Sequence, residues 1–162
     1  MSKPGKFKEP LRDNDRVVRV GLTTSQNNYK KVSPDQFIVT EREKAEDWKR
    51  ISVFETSLSS DSDVVNLTTN PERIFIIKFS VGDLRDVIVN NKTPFDVKWD
   101  PLSDCLDQNL NILESAKSGC EGHCGLDGLH AETKIDRRDL RVELARFATN
   151  SGNFYLYQAE NN

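Results

Sequence analysis

The segment Pro71 to Ser80 (PERIFIIKFS) constrains the fold most, because it contains the longest apolar candidate for a buried element in this polar chain. Its apolar centre, Ile74 to Phe79, has the length of a β-strand and includes Lys78, so it falls far short of the ~18 apolar residues that a membrane span needs. β-Branched and aromatic residues favour a strand, and consecutive apolar residues indicate burial on both faces. We therefore predict that this strand lies inside the core.

Other strands are predicted where β-branched or aromatic residues alternate with polar ones or cluster between turn signals. The candidates are residues 17–23, 95–99 and 153–158, together with 52–58, where the alternation is looser. Segments of strand and helix character are interleaved without the regular βαβ order of a doubly wound sheet. The predicted fold class is therefore α+β: a single domain with a mixed or antiparallel sheet, two or three helices and a Gly-rich loop.

Helices are predicted from capping patterns and periodicity. Thr40 and Glu43 form a capping box before a segment that ends at Ile51, and its apolar residues share one helical face. A second helix is predicted over 101–117, where leucines recur at helical spacing. The remaining predictions are a short helix or turn at 81–91, a polar loop at 57–63, and a short strand followed by a basic amphipathic segment at 130–147.

The length, composition and charge of the chain are typical of a single globular domain. The 162 residues are enough to bury a single core. Residues 1–16 are rich in Pro, Gly and charge, so we predict a disordered arm there and one domain over 17–160. With 23 basic and 26 acidic residues the net charge is −3, which gives no general signal for binding nucleic acid or an anionic membrane.

The N-terminal segment and the cysteine count bear on location. No apolar segment follows the first lysines, so the N-terminus does not resemble a secretory signal and the predicted location is cytoplasmic. A protein secreted by a leaderless route would have the same features. Three cysteines, an odd count, argue against a disulfide framework in such a chain.

The stretch GCEGHCGLDGLHAE, residues 119–132, differs from the rest of the chain. Four glycines fall at every third position, so a flexible loop is predicted near residues 117–129. Both histidines and two of the three cysteines of the chain also lie here, with the spacing C-x2-H-C-x5-H. These are zinc-type ligands, and the candidate metal set is Cys120, His123, Cys124 and His130.

The same stretch has a second chemical interpretation, as the site of a cysteine nucleophile. A nucleophilic cysteine needs a histidine that holds its thiolate and a carboxylate that orients the histidine. Cys120 or Cys124, with His123 or His130 and with Glu132, supply these residue types. The sequence leaves this alternative open beside zinc binding and beside a plain Gly-rich connection.

A resemblance to a known family extends over more of the chain. Several small ADP-ribosyltransferases begin with a strand that bears an arginine, and Arg19 in VVRVG occupies that place. Phe37 to Trp48 (FIVTEREKAEDW) is similar to their strand ending in Thr or Ser, here Thr40, and the helix that follows it. Their late strand carries a glutamate, and Glu132 in LHAETKI occupies the corresponding position. Over roughly residues 17–136, the chain therefore resembles an ADP-ribosyltransferase.

That resemblance implies NAD as the molecule bound and consumed. Arg19 and Thr40 would bind the cofactor, the arginine through the diphosphate, and Glu132 would stabilise positive charge on the ribose as the glycosidic bond breaks. The leading interpretation of the residues themselves is different. It is a non-catalytic binding or protein-interaction domain with a protein partner, no complete catalytic set being evident. The sequence does not decide whether the chain is an enzyme or whether it uses a cofactor.

Overall fold

In the part of the chain that the structure describes, six antiparallel strands form one sheet, and three helices accompany it. The computed structural model describes residues 9–23, 30–38, 50–68, 70–102, 105–109 and 111–158. The strands are β1 Arg16–Leu22, β2 Arg50–Glu55, β3 Arg73–Ser80, β4 Asp96–Trp99, β5 His123–Asp127 and β6 Asn153–Leu156. The helices are α1 Asp61–Leu67, α2 Val81–Arg85 and α3 Lys134–Ser151, with 3-10 turns at Pro34–Phe37 and Cys120–Gly122. The predicted α+β class is confirmed.

The strand order is β4-β5-β2-β1-β3-β6, and every neighbouring pair is antiparallel. The strand predicted at 71–80 is confirmed as β3, next to β1 in the sheet. Phe75 and Ile77 point into the main core, which α3 covers, and Ile76 points into a smaller cluster that includes Val64 of α1. We call these two sides of the sheet the α3 face and the α1 face.

Helix α3 covers the main core because its apolar residues lie on one side. Thr133 caps its N-terminus, with the side-chain oxygen accepting a hydrogen bond from the backbone N–H of Asp136. Four of its residues are buried in the core: Leu140, Leu144, Ala145 and Ala148. The basic amphipathic segment predicted within 130–147 is this helix, and the short strand predicted at its start was wrong, because residues 132–133 form a bend.

The helix predicted over 101–117 was wrong for the residues that the structure describes there. Asp107 explains the difference, since its carboxylate accepts hydrogen bonds from the backbone N–H groups of Asn109 and Asn111. Such local bonds offer the backbone an alternative to a helix. A disulfide between Cys105 and Cys120 closes this irregular segment, contrary to the cysteine prediction.

A short helix occurs instead where a polar loop was predicted. Helix α1 begins after Ser60, whose side chain accepts from the N–H of Asp63 while the Asp63 carboxylate accepts from the N–H of Ser60. This reciprocal capping box is readable in the sequence as Ser-x-x-Asp. Most of the helix predicted from Thr40 to Ile51 lies outside the described residues, and its last two residues, Arg50 and Ile51, belong to β2 instead.

The fold begins before the predicted boundary at residue 17. Residues 9–11 run beside β4, where the N–H of Leu11 donates to the carbonyl of Val97 and the N–H of Trp99 donates to the carbonyl of Glu9. Leu11 is only 2% exposed. The predicted disordered arm of residues 1–16 was therefore too long, because an apolar side chain at position 11 anchors this segment to the core.

Candidate functional site

His123, the first residue of β5, is a buried histidine with a hydrogen-bond partner at each ring nitrogen. Its Nε2 atom lies 2.9 Å from the hydroxyl oxygen of Ser52, and its Nδ1 atom lies 2.7 Å from the backbone carbonyl oxygen of Asp100. A carbonyl oxygen only accepts hydrogen bonds, so Nδ1 carries a proton, and in the neutral imidazole Nε2 accepts from the serine hydroxyl. The imidazole ring is 3% exposed and meets the ring of Phe54 edge-on.

The sheet register brings these groups together. In the pairing of β2 with β5, Ser52 lies opposite Gly125 and Phe54 lies opposite His123. All four positions therefore share the α1 face, and the histidine ring reaches diagonally back to Ser52. The N–H of Asp100, just after β4, donates to the carbonyl of His123 and holds the end of β4 against β5.

An arginine lies beside this Ser–His pair. Arg50 is two residues before Ser52 on β2, and its guanidinium is paired with the carboxylate of Asp100. A β-carbon placed on Gly125 would come within 2.5 Å of the Arg50 Cδ atom. The side chain of Arg50 therefore crosses β5 through the space that the missing side chain of Gly125 leaves open.

The structure does not bring the four candidate zinc ligands together. Cys120 is bonded to Cys105, and His130 is exposed beyond the end of β5. His123 and Cys124 are adjacent in a strand, so their side chains point to opposite faces of the sheet. Within the described ranges, no three His, Cys, Asp or Glu side chains are grouped so that they could hold a metal ion.

Cys124 is also unsuited to act as a nucleophile. It is completely buried, and burial, followed by the nearby carboxylate of Glu55, raises the pKa of its thiol far above the usual value. The thiolate is the reactive form of cysteine. Gly125, the residue after Cys124, belongs to the same buried strand, so the flexible loop predicted near 117–129 was wrong for His123–Asp127.

Arg19 and Glu132 have different surroundings. Arg19 is 3% exposed on the α3 face of β1. Its guanidinium donates to three backbone carbonyls, those of Gln36, Ile38 and Ser52. Glu132 is exposed in the bend before α3, and Thr40 lies outside the described residues. Arg19 therefore holds the 3-10 turn against the sheet, and the role of these residues in binding NAD stays a prediction.

A second feature is the outer edge of β6. The N–H of Tyr157 donates to the carbonyl of Ile74, and Tyr155 lies opposite Ile76 in the same ladder. Since hydrogen-bonded positions alternate along an antiparallel strand, the N–H and C=O groups of Phe154 and Leu156 point away from β3. No described residue pairs with them.

The two edge strands of the sheet, β4 and β6, differ in how their outer sides are covered. Residues 9–11 cover the outer edge of β4, with an isolated bridge between Pro10 and Lys98. The segment Asn153 to Gln158 (NFYLYQ) has no charged residue and no proline, although these are the usual means by which proteins protect an exposed edge. Its side chains from Phe154 to Tyr157 are half-buried.

Searches of family models, curated proteins and solved structures find no match to this chain. None of the helices in the described part of the chain combines the length and the apolar character needed to cross a bilayer.

Sequence reasoning missed both features for a clear reason. Ser52 was available as a polar residue in a predicted strand, but its partner is 71 positions away and is selected only by the β2–β5 register. The closing strand was predicted at 153–158, and β6 confirms a strand there. Its position at the edge follows from the strand order, which no local pattern encodes.

Proposed function

We propose that this chain is a protein-interaction domain that associates by pairing β6 with β6 of a second copy. The observation that carries the proposal is the uncharged outer edge of β6 at Phe154 and Leu156, with which no residue in the described part of the chain pairs. An exposed strand edge presents N–H and C=O groups that add a further strand when one is offered.

One register of a second copy pairs both outward-pointing residues of this edge. In an antiparallel two-fold pairing centred on Tyr155, Phe154 of each copy lies opposite Leu156 of the other. These are the residues whose backbone groups point outward, so each pair exchanges both of its hydrogen bonds. Phe154 and Leu156 both lie on the α3 face, so an aromatic and an aliphatic side chain meet across the junction. No charged residue of Asn153–Gln158 enters the pairing.

The covered edge of β4 limits this association to two copies. Residues 9–11 already occupy the outer side of β4, so a third chain finds no second open edge on the sheet. An isologous two-fold contact closes on itself, whereas two open edges would permit a growing fibre. The pairing therefore gives one continuous sheet of two domains.

Sedimentation equilibrium over a range of concentrations tests the proposal. The wild-type chain should show a reversible monomer–dimer equilibrium. Leu156→Pro removes one outward N–H and should abolish the dimer, since proline is tolerated on an edge strand where its nitrogen faces outward. Leu156→Val keeps that N–H and is the matched control, which should still dimerise.

A charge-based pair of variants covers the case in which proline prevents folding. Asn153→Lys places a lysine at the exposed edge and should weaken the dimer at least tenfold. Gln108→Lys adds the same charge at an exposed position outside β6 and should leave it unchanged. A wild-type chain that stays monomeric at all concentrations, or a dimer that survives both edge variants, would contradict the proposal.

A further inference from the structure

We infer that Ser52 and His123 form a nucleophile–base pair that transfers acyl groups from carboxylic esters to water. This inference is independent of the β6 pairing, because it concerns the α1 face at β2 and β5 rather than the edge of the sheet. It assigns a reaction to residues that strand pairing does not use.

The hydrogen-bond directions fix the chemistry of the pair. The carbonyl of Asp100 holds the proton of His123 on Nδ1, which leaves the Nε2 lone pair directed at the Ser52 hydroxyl 2.9 Å away. This is the arrangement in which an imidazole removes the proton of a serine as its oxygen attacks. In the serine–histidine–aspartate triad a carboxylate orients the histidine; here a backbone carbonyl does so.

The surroundings suit an ester with a small apolar acyl group. Ser52 is partly exposed, while the imidazole bonded to its hydroxyl is buried. Phe54 is also partly exposed and lies edge-on to the histidine, which places an aromatic surface beside the serine. Arg50 lies on the same face, and its guanidinium is paired with the carboxylate of Asp100.

The reaction proceeds in two balanced steps. In the first, Ser52 Oγ bonds to the carbonyl carbon, its proton passes to His123 Nε2, and the alcohol leaves with that proton. In the second, His123 Nε2 takes a proton from water, the resulting hydroxide bonds to the acyl carbon, and Ser52 Oγ leaves with the proton. The sum is ester plus water giving carboxylic acid plus alcohol, with no oxidant, reductant or further reactant.

A short-chain alkyl fluorophosphonate tests the inference directly on the full chain. Attack by Ser52 forms an oxygen–phosphorus bond and expels fluoride, and the adduct is counted by intact mass. We expect one adduct per wild-type chain, with tandem mass spectrometry of the tryptic peptide 51–73 placing it on Ser52. Ser52→Ala should lose the adduct, and Ser62→Ala, which changes an exposed serine on α1, should keep it.

The variant His123→Gln tests whether Ser52 is labelled because His123 acts as a general base or only because the serine is exposed. Removal of the base should slow labelling about 100-fold while Ser52 stays in place. Circular dichroism and thermal unfolding verify that each variant is folded. A folded wild-type chain that takes up no adduct, an adduct at another residue, or equal labelling rates for wild type and His123→Gln would overturn the inference. Peptide mapping of the wild type shows whether Ser52 carries the adduct even if both variants fail to fold.

Discussion

The hydroxyl oxygen of Ser52 lies 2.9 Å from Nε2 of His123, although 71 positions of sequence separate the two residues. The next residue of β5, Cys124, points to the opposite face of the sheet, where burial raises the pKa of its thiol. Two neighbours in a ligand-rich stretch thus have unrelated environments. The alternation of a β-strand separates them, and it removes the apparent metal cluster.

The packing of Arg50 across Gly125 predicts a specific coupling between these two residues. Gly125→Ala forces the arginine side chain to move and should lower the free energy of unfolding by about 1–3 kcal/mol. Arg50→Ala removes the obstructing atoms, so Gly125→Ala should cost much less in that background. Chemical denaturation of both single variants and the double variant measures the coupling. Additive effects would show that the arginine does not occupy this space.

The thiols of the chain should react unequally. Cys105 and Cys120 are joined, and Cys124 is completely buried with a raised thiol pKa. We expect an aromatic disulfide reagent to find almost no reactive thiol in the native chain and one per chain after denaturation without reductant. Three thiols after denaturation would mean that the bond between Cys105 and Cys120 is absent.

The same disulfide should contribute to stability. It closes a loop of 15 residues, for which restriction of the unfolded chain corresponds to about 3 kcal/mol. Replacing Cys105 and Cys120 together by serine should therefore lower the free energy of unfolding by roughly this amount, or less where the unfolded chain retains structure. Cys124→Ser alters the third cysteine and serves as a comparison, since its cost arises from polarity in the core and should persist under reducing conditions.

Glu55 should make stability depend on pH. Burial, opposed by hydrogen bonds from Ser57 and Leu58 and reinforced by the charge of Asp15, raises the pKa of this carboxyl above its usual value. The folded state therefore binds the proton more tightly than the unfolded state, and this contribution is lost as pH rises through the folded-state pKa. Relative to Glu55→Gln, the wild type should gain stability as pH falls below neutrality. Parallel stability curves for the two proteins would contradict this.

The cap of α3 gives a local test of the helix that covers the core. Thr133→Ala removes the side-chain oxygen that accepts from the N–H of Asp136 and should cost about 1 kcal/mol. Thr133→Ser keeps the oxygen and should be nearly neutral. Thermal unfolding of the two variants compares them, and equal losses would show that the cap does not stabilise the helix.

Local patterns predicted part of this fold and could not predict the rest. The strand around Ile76 was predictable because a run of β-branched and aromatic residues needs no distant information. The 101–117 segment was wrongly predicted as a helix, since its leucine spacing is helical but Asp107 captures nearby backbone N–H groups. The Ser52–His123 pair depends on register, and register is a property of the whole sheet.

Amide hydrogen exchange within β6 tests the central proposal, pairing of β6 with a second copy, most directly. The amide of Tyr157 donates to β3, and by alternation so does that of Tyr155, so both should be protected at every protein concentration. The amides of Phe154 and Leu156 point outward and should exchange rapidly in dilute solution. The proposal predicts that both become protected as the concentration rises through the dimerisation range. Rapid exchange of Phe154 and Leu156 at all concentrations, with Tyr155 and Tyr157 protected, would contradict it.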